Sequence, residues 1–177
     1  MLMLFLSCKK QEPRWPVSTR GGSFLKQSAE RNRVLLEQEE ALMEKIIASD
    51  SSVTYLESAF GSPYYFEVKN LDTGYTPQPE DEVTLTYALF SWANDTLYRK
   101  QEIGILRYIV DREALFPGLR QAVKVLQQGE TAVFLFPSSM GYGYHGDNNR
   151  IGTNMPLKCQ LTLLNIKKAI EPQSSNP

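Results

Sequence analysis

The chain has 177 residues, of which 42% are hydrophobic and 22% are charged, and its formal net charge is -1. These values are typical of a globular protein with room for one domain and short extensions. The near-zero charge gives no electrostatic reason to bind nucleic acid. The sequence has no run of about 20 apolar residues, so no transmembrane helix is predicted. It contains a single histidine, which excludes a His-rich metal site or a triad of histidines, and we predict no metal and no cofactor.

The N-terminus carries a cysteine between an apolar run and two lysines. Cys8 follows the apolar run MLMLFLS and precedes two lysines, which resembles the end of a bacterial lipoprotein signal, where the cysteine is lipidated. A start site further upstream would explain the short apolar run and the lack of basic residues before it. The alternative is an apolar terminus with an incidental cysteine. We predict a truncated-looking signal at 1–8 with Cys8 as lipidation site, and a tether rich in Pro and Gly at 9–22.

Residues 23–50 are predicted to form an amphipathic N-terminal helix. Residues of high helix propensity dominate the segment, and Ser23 is a candidate N-cap. Apolar residues recur at roughly helical spacing, namely Leu25, Ala29, Leu36, Met43 and Ile46. Four glutamates are expected on the solvated face, namely Glu37, Glu39, Glu40 and Glu44. The apolar stripe either packs on the domain or pairs with a second copy of the chain, which would make a homodimer.

Short alternating segments in the rest of the chain predict β-strands. In chain order they are YYFEVKN, VTLTYALF, LYRKQE, ILRYIVD, TAVFLF and KCQLTLLNI, with a hairpin bend at SWANDT. Apolar residues share one face of the second segment, namely Val83, Leu85, Tyr87 and Leu89. The same pattern recurs in the last, namely Leu157, Cys159, Leu161 and Leu163. This alternation is typical of a half-buried antiparallel sheet.

One short helix is predicted between the last strands. It begins near Pro117, since proline suits the first helical turn, and it places Leu119, Val123 and Leu126 on one face. Gly129 would end it as the residue that tolerates positive φ. Such a stripe can be buried only against the apolar face of the sheet. The predicted fold class is therefore α+β with a mostly antiparallel sheet.

Several motifs then occur in the order that a known family shows. They are the strand VTLTY, ALF followed by Pro117-Gly118-Leu119, LQQGE, SSMGYG and IGTNMPL. Together they resemble an FK506-binding-protein (FKBP) type peptidyl-prolyl cis-trans isomerase. With Cys8 and the N-terminal helix in front, the chain further resembles the gliding-motility-associated isomerase lipoproteins of Bacteroidetes. The resemblance implies an FKBP-like domain at 60–168, an antiparallel sheet wrapped around one short helix, and a disordered tail at 169–177.

The resemblance also implies a peptide pocket between helix and sheet. The residues implied for catalysis are Tyr142, Tyr87 and Phe116, with Tyr142 donating a hydrogen bond to the substrate carbonyl. The residues implied for substrate binding are Leu97, Tyr98, Leu106, Leu115, Leu119, Ile151 and Cys159. Leu119 stands where the family usually has tryptophan, and Tyr98 where it commonly has an acidic residue. Leu97, Leu106 and Cys159 stand where it usually has phenylalanines.

These departures leave two functions open. Rotation about an X–Pro bond needs no covalent chemistry, because a dry apolar pocket favours the less polar twisted amide over the planar one. The first function is therefore an isomerase, with activity reduced by the departures. It would bind proline-containing segments of exported proteins at the cell envelope, anchored to the membrane by lipid and facing the periplasm, and take part in gliding motility. The alternative is a non-catalytic peptide-binding or assembly module. A third interpretation of the same residues is a plain core lining without an open cavity.

Overall fold

The computed structural model describes residues 21–49, 51, 53–58, 64–67, 74–112 and 114–169. Its helices are α1 (Gly21–Ser49), α2 (Lys100–Ile103) and α3 (Pro117–Val123). Its strands are β1 (Tyr55–Glu57), β2 (Tyr65–Glu67), β3 (Glu82–Ser91), β4 (Thr96–Tyr98), β5 (Leu106–Ile109), β6 (Thr131–Phe136) and β7 (Leu157–Lys167). Two 3-10 turns follow β6, the first at Ser138–Met140 and the second at Gly143–His145. Cys8 and residues 170–177 lie outside the described residues, as do the parts of the tether before Gly21.

The described strands form one antiparallel sheet in the order β1-β2-β6-β7-β3-β4, and β5 also pairs with β3. The longest pairing joins β3 to β7 and sets Tyr87 opposite Leu161 and Leu89 opposite Cys159. An antiparallel sheet with α3 and an N-terminal helix confirms the predicted α+β class. In the described part of the chain, no helix combines the length and apolar character that a membrane crossing requires.

The alternation predicted for the two long strands is confirmed. Val83, Leu85, Tyr87 and Leu89 of β3 are all buried. Leu157, Cys159, Leu161 and Leu163 of β7 are buried as well. Their apolar face is covered by α3, which buries Leu119, Ala122 and Val123 in the same core cluster. The short helix therefore lies against the sheet face that the sequence pattern indicates.

The predicted end of α3 is wrong. The helix stops at Val123, and the amide of Lys124 already bonds the carbonyl of Gln121 in a tight turn. Leu126 is buried beyond the helix and not on its stripe. Gly129 does adopt positive φ, at 85°, but in the turn before β6, where its amide donates to Leu163 O at 2.7 Å. The positive φ at this position favours glycine as predicted, but the turn into the sheet requires it and the end of the helix does not.

The segment LYRKQE is only partly a strand, since β4 ends at Tyr98 and Lys100–Ile103 forms the helical turn α2. The carboxylate of Glu102 accepts a hydrogen bond from the amide of Arg99 at 2.8 Å. In this half of a capping box, the side chain at the third helical position accepts from the N-cap amide and stabilises the start of the helix. Gly104 then ends the turn at φ 77°. The result is a short bend that directs β5 back along β3.

The chain divides into two compact units, residues 1–33 and residues 34–177. In the first, α1 begins at Gly21, so Ser23 lies inside the helix and the N-cap prediction is wrong. Within the second unit, Met43 is fully buried and Glu39 is 4% exposed, so this part of the helix packs on the domain. The solvated position predicted for Glu39 is therefore wrong. Pairing of the helix with a second copy stays a prediction.

Asp81 ties the start of β3 to the chain that follows β7. Its side chain is 2% exposed. The carboxylate accepts hydrogen bonds from the Tyr75 hydroxyl at 2.6 Å, from the Gln78 amide at 2.9 Å and from the Ala169 amide at 2.8 Å. Three donors satisfy a buried carboxylate that would otherwise be costly to bury.

We expect this network to make folding stability depend on acid. Burial alone would raise the pKa of Asp81, but the hydrogen bonds from Tyr75, Gln78 and Ala169 and the charge of Lys168 lower it below its ordinary value. The unfolded state therefore binds a proton more tightly than the folded state. The stability from this group is present above the unfolded pKa of about 4. It is lost as the pH falls through the folded pKa.

Asp81→Asn should accordingly lower the free energy of unfolding at neutral pH by roughly 1–3 kcal/mol, because hydrogen bonds to a charged acceptor are weakened. The variant should also lose less of its remaining stability on acidification. Denaturant unfolding between about pH 7 and about pH 3 measures both effects. Acid profiles that run parallel in the two proteins would contradict the role given to Asp81.

Candidate active site at the α3 face of the sheet

The structure brings the predicted pocket residues of the domain together at the α3 face. Tyr87, Leu119, Ile151 and Cys159 belong to the buried core cluster. The remaining six are half-buried and pack against it, namely Leu97, Tyr98, Leu106, Leu115, Phe116 and Tyr142. Burial raises the pKa of the Cys159 thiol, so at neutral pH this free cysteine is an uncharged core side chain. The half-buried side chains are the members of this set that keep some surface open to solvent.

Phe116 is the centre of an aromatic group within this cluster. It lies at the N-cap of α3 in an extended conformation, and Pro117 as the first helical residue restricts its backbone to that region. Its ring centroid lies 6.3 Å from that of Tyr87, 5.4 Å from that of Tyr142 and 6.0 Å from that of Phe136. Such distances and tilted arrangements are those that aromatic pairs prefer. Phe136 was not predicted for the site, because in the sequence it is simply one apolar residue of β6.

The two tyrosine hydroxyls of the group are kept protonated. Burial raises the pKa of Tyr142, and the charge of Asp147 and the neighbouring Tyr98 and Cys159 raise it further. Burial likewise raises the pKa of Tyr87, with Tyr142 as the next cause. Among the described residues, none forms a hydrogen bond with the Tyr142 hydroxyl. The hydroxyl is therefore a neutral donor that is available to a ligand.

Asp147 links two walls of the pocket. Its Oδ1 accepts the amides of Asn149 at 2.9 Å and Ile151 at 2.8 Å, and its Oδ2 accepts the hydroxyl of Tyr98. Burial alone would raise the pKa of Asp147, but these hydrogen bonds lower it. The carboxylate stays ionised and holds Tyr98 and Ile151 in place together. No alternation or helical spacing marks Asp147, and the only signal was its position before two asparagines in a Gly-rich loop.

Arg150 adds a second link between the same loop and β4–α2. Its guanidinium donates to the carbonyl of Leu97 at 2.7 Å and to Glu102 Oε1 at 2.7 Å, and it lies 4.9 Å from the ring centroid of Tyr98. A planar donor with several N–H groups suits such a junction. Neither Arg150 nor Glu102 was predicted for the site. In the described part of the chain, no cluster of three or more His, Cys, Asp or Glu could hold a metal ion.

We expect Tyr98→Phe to loosen the Asp147 link while leaving the ring in place. The variant loses the donor to Asp147 and the acceptor that Asn149 Nδ2 reaches at 3.1 Å. Affinity for a proline-containing peptide should fall roughly two- to tenfold, the scale of one typical hydrogen bond. The matched control is Tyr144→Phe in the same loop, where the side chain is 73% exposed. Equal effects of the two substitutions would contradict a specific role for the Tyr98 hydroxyl.

Comparison with known proteins agrees with this geometry. Residues 74–164 match the family model described as FKBP-type peptidyl-prolyl cis-trans isomerase. The fold is similar to that of a peptidyl-prolyl cis-trans isomerase from Pseudomonas syringae pv. tomato str. DC3000, with a TM-score of 0.56 and 20% identity over 77% of this chain and 96% of that chain. It is also similar to the N-terminal domain of FKBP42 from Arabidopsis thaliana, with a TM-score of 0.57 and 14% identity over 66% of this chain and 95% of that chain. No curated protein sequence matches the chain.

The fold thus defines an FKBP-like domain. Because the family match covers just over half of the chain, the protein belongs to the FKBP-type peptidyl-prolyl cis-trans isomerase family. The prediction of a peptidyl-prolyl isomerase is confirmed at this level. All pocket residues predicted from the sequence fall within the matched range, whereas Cys8 falls outside it.

Proposed function

We propose that this isomerase acts on X–Pro bonds in extended segments of exported proteins, from a lipid anchor at the cell envelope and facing the periplasm. The single observation that carries the catalytic part is the Tyr142 hydroxyl. It is half-buried, protonated, unpaired among the described residues and in ring contact with Phe116. A donor in that setting suits a peptide carbonyl next to a proline ring.

The chemistry follows from the lining of the site. An amide in its planar state carries a charge-separated resonance form that water stabilises, and rotation through about 18–20 kcal/mol destroys it. Apolar surroundings supplied by Phe116, Tyr87 and Ile151 remove that stabilisation more from the planar state than from the twisted state. Only such differential stabilisation raises the rate. A hydrogen bond from Tyr142 would hold the substrate while the bond turns.

The complete burial of Leu119 supports the proposal of a reduced rate. Leu119 is fully buried within the core, so its side chain has no surface open to solvent. A proline ring would therefore rest mainly on Phe116 and Tyr87, which are in contact with each other at 6.3 Å between ring centroids. Less aromatic surface means weaker dispersion contacts with the substrate.

The anchoring part of the proposal rests on the sequence around Cys8. An acylated Cys8 followed by a Pro- and Gly-containing tether would let the domain stand off the membrane while it samples client chains. One acyl chain binds a bilayer only marginally, whereas two or more bind it stably. A contribution to gliding motility is supported by the resemblance of the whole chain alone.

Fractionation tests the anchor separately from catalysis. The full-length gene is expressed in its own host from its natural start, as wild type and as Cys8→Ser, with labelled fatty acid in the medium. The expected result is label and membrane recovery for the wild type and neither for the variant, with equal isomerase activity in both. Wild-type protein recovered without label in the soluble fraction would contradict the anchor and leave the isomerase assignment intact.

A further inference from the structure

Glu39 is a buried acid outside the matched isomerase range, which begins at residue 74. It lies on α1 and is 4% exposed. Its Oε2 accepts a hydrogen bond from the backbone amide of Ser138 at 2.8 Å. Its Oε1 has no partner within the described part of the chain. A buried carboxylate with an unsatisfied oxygen lowers stability, so its presence calls for a gain elsewhere.

The amide that donates to Glu39 belongs to Ser138, the first residue of the first 3-10 turn. Two later amides have partners within the turn, since Met140 donates to the carbonyl of Pro137 at 3.0 Å and Gly141 donates to that of Ser138 at 3.0 Å. The amide of Ser138 has no carbonyl of the turn to reach, because the first N–H groups of any helical turn lack one. Ser138 is itself buried. Without Glu39 this amide would be a buried donor without a partner, which folded proteins rarely tolerate.

The same turn leads directly into the pocket. Met140 is buried, and its carbonyl lies so close to α3 that a Cβ on Gly118 would approach it to 2.9 Å. The chain then passes through Gly141 to Tyr142. The position of the Tyr142 ring therefore depends on where the 3-10 turn sits between α1 and α3.

We propose that Glu39 is a positioning residue for Tyr142, which acts by fixing the first 3-10 turn through the amide of Ser138. This inference rests on the proposed role of Tyr142 as carbonyl donor. It makes α1 part of the working site, although none of its residues is expected to touch the substrate. Since coupling between two sites is reciprocal, a peptide in the pocket must also stabilise the bond between Glu39 and Ser138.

The test uses the full chain with three substitutions. Glu39→Leu removes the acceptor and introduces an apolar side chain at the buried position, whereas Glu39→Gln keeps an acceptor oxygen. Met43→Ala is the matched control, because it removes fully buried volume one turn further along the same helix and leaves the Glu39 carboxylate in place. For each protein, hydrogen exchange of the Ser138 amide, the melting temperature, and kcat and KM for a proline-containing tetrapeptide are measured well below the unfolding temperature.

In Glu39→Leu, we expect faster exchange at Ser138 and a fall of roughly two- to tenfold in kcat/KM, the scale of one lost hydrogen bond. Glu39→Gln should restore both. Met43→Ala should lower the melting temperature while leaving Ser138 exchange and kcat/KM per folded molecule unchanged. Equal losses in Glu39→Leu and Met43→Ala would overturn the inference, because they would indicate a general structural effect of α1.

A measurement on the wild type alone covers the case in which Glu39→Leu does not fold. Saturating tetrapeptide should slow exchange of the Ser138 amide, and unchanged exchange would overturn the inference. The proposed function has its own readout in the wild-type rate. A wild type that binds the peptide without accelerating isomerisation would refute catalysis, while the effect of Glu39 on affinity would still be measured.

Discussion

Phe116→Ala is expected to reduce isomerase activity about 100-fold, because a displacement of about 1 Å in a positioned group can cost that much. The ring of Phe116 contacts those of Tyr87, Phe136 and Tyr142. Its loss leaves a space into which the neighbouring rings can move. Removing a buried phenylalanine ring costs about 3–5 kcal/mol, and for this half-buried ring we expect the lower end of that range. Activity per folded molecule and the free energy of unfolding are both measured.

Phe90→Ala provides the matched control. Phe90 is a half-buried ring on β3, and it is paired with Lys158 on the sheet face away from Leu89. The Phe90→Ala variant should be less stable than the wild type and keep its activity. If Phe90→Ala reduced activity as much as Phe116→Ala, the loss would reflect general loosening of the sheet, and the central place of Phe116 in the pocket would be refuted.

Gly118→Ala is expected to destabilise the domain even though alanine is the better helix former. A Cβ at Gly118 would lie 2.7 Å from Cδ1 of Phe136 and 2.9 Å from the carbonyl oxygen of Met140. Better propensity contributes at most about 1 kcal/mol, whereas overpacking costs about 1–3 kcal/mol. The contact with Met140 involves backbone and cannot be relieved by a change of rotamer. We therefore expect a net loss of stability and, since Met140 leads to Tyr142, weaker peptide binding.

Gly152→Ala makes the same chemical change where there is room. A Cβ there would meet only Cε of Met155 at 3.8 Å, which is an ordinary contact. Thermal unfolding of the two variants should show a lower melting temperature for Gly118→Ala and little change for Gly152→Ala. A Gly118→Ala protein as stable as the wild type would show that α3 can move away from the first 3-10 turn.

The sheet could be predicted because its signal is local. In β3 and β7 one face is buried and the other is mostly half-buried, so the period of two in the residues reports the fold directly. The C-terminal end of α3 was predicted wrongly for the opposite reason. Leu126 continues the apolar spacing, but it is buried by the chain after the helix, and apolar spacing alone does not distinguish the two cases.

The polar contacts of the site could not be predicted, because they join residues far apart in the chain. Tyr98 and Asp147 are 49 positions apart, and Glu39 and Ser138 are 99 positions apart. Glu39 lies among other glutamates, and nothing in the sequence distinguishes the one that is buried. Tyr87, Phe116 and Tyr142 were assigned to the pocket through the resemblance of motifs, and no periodicity identifies them as site residues.

The most direct test measures cis–trans isomerisation of a proline-containing tetrapeptide by the full chain, as wild type and as Tyr142→Phe. The substitution removes one hydroxyl and keeps the ring against Phe116. The wild type should accelerate isomerisation, and Tyr142→Phe should bind the peptide more weakly by roughly two- to tenfold, the scale of one lost hydrogen bond, with an almost unchanged melting temperature. No acceleration by the wild type, or a Tyr142→Phe variant with lower stability and intact peptide affinity, would contradict catalysis through the Tyr142 hydroxyl.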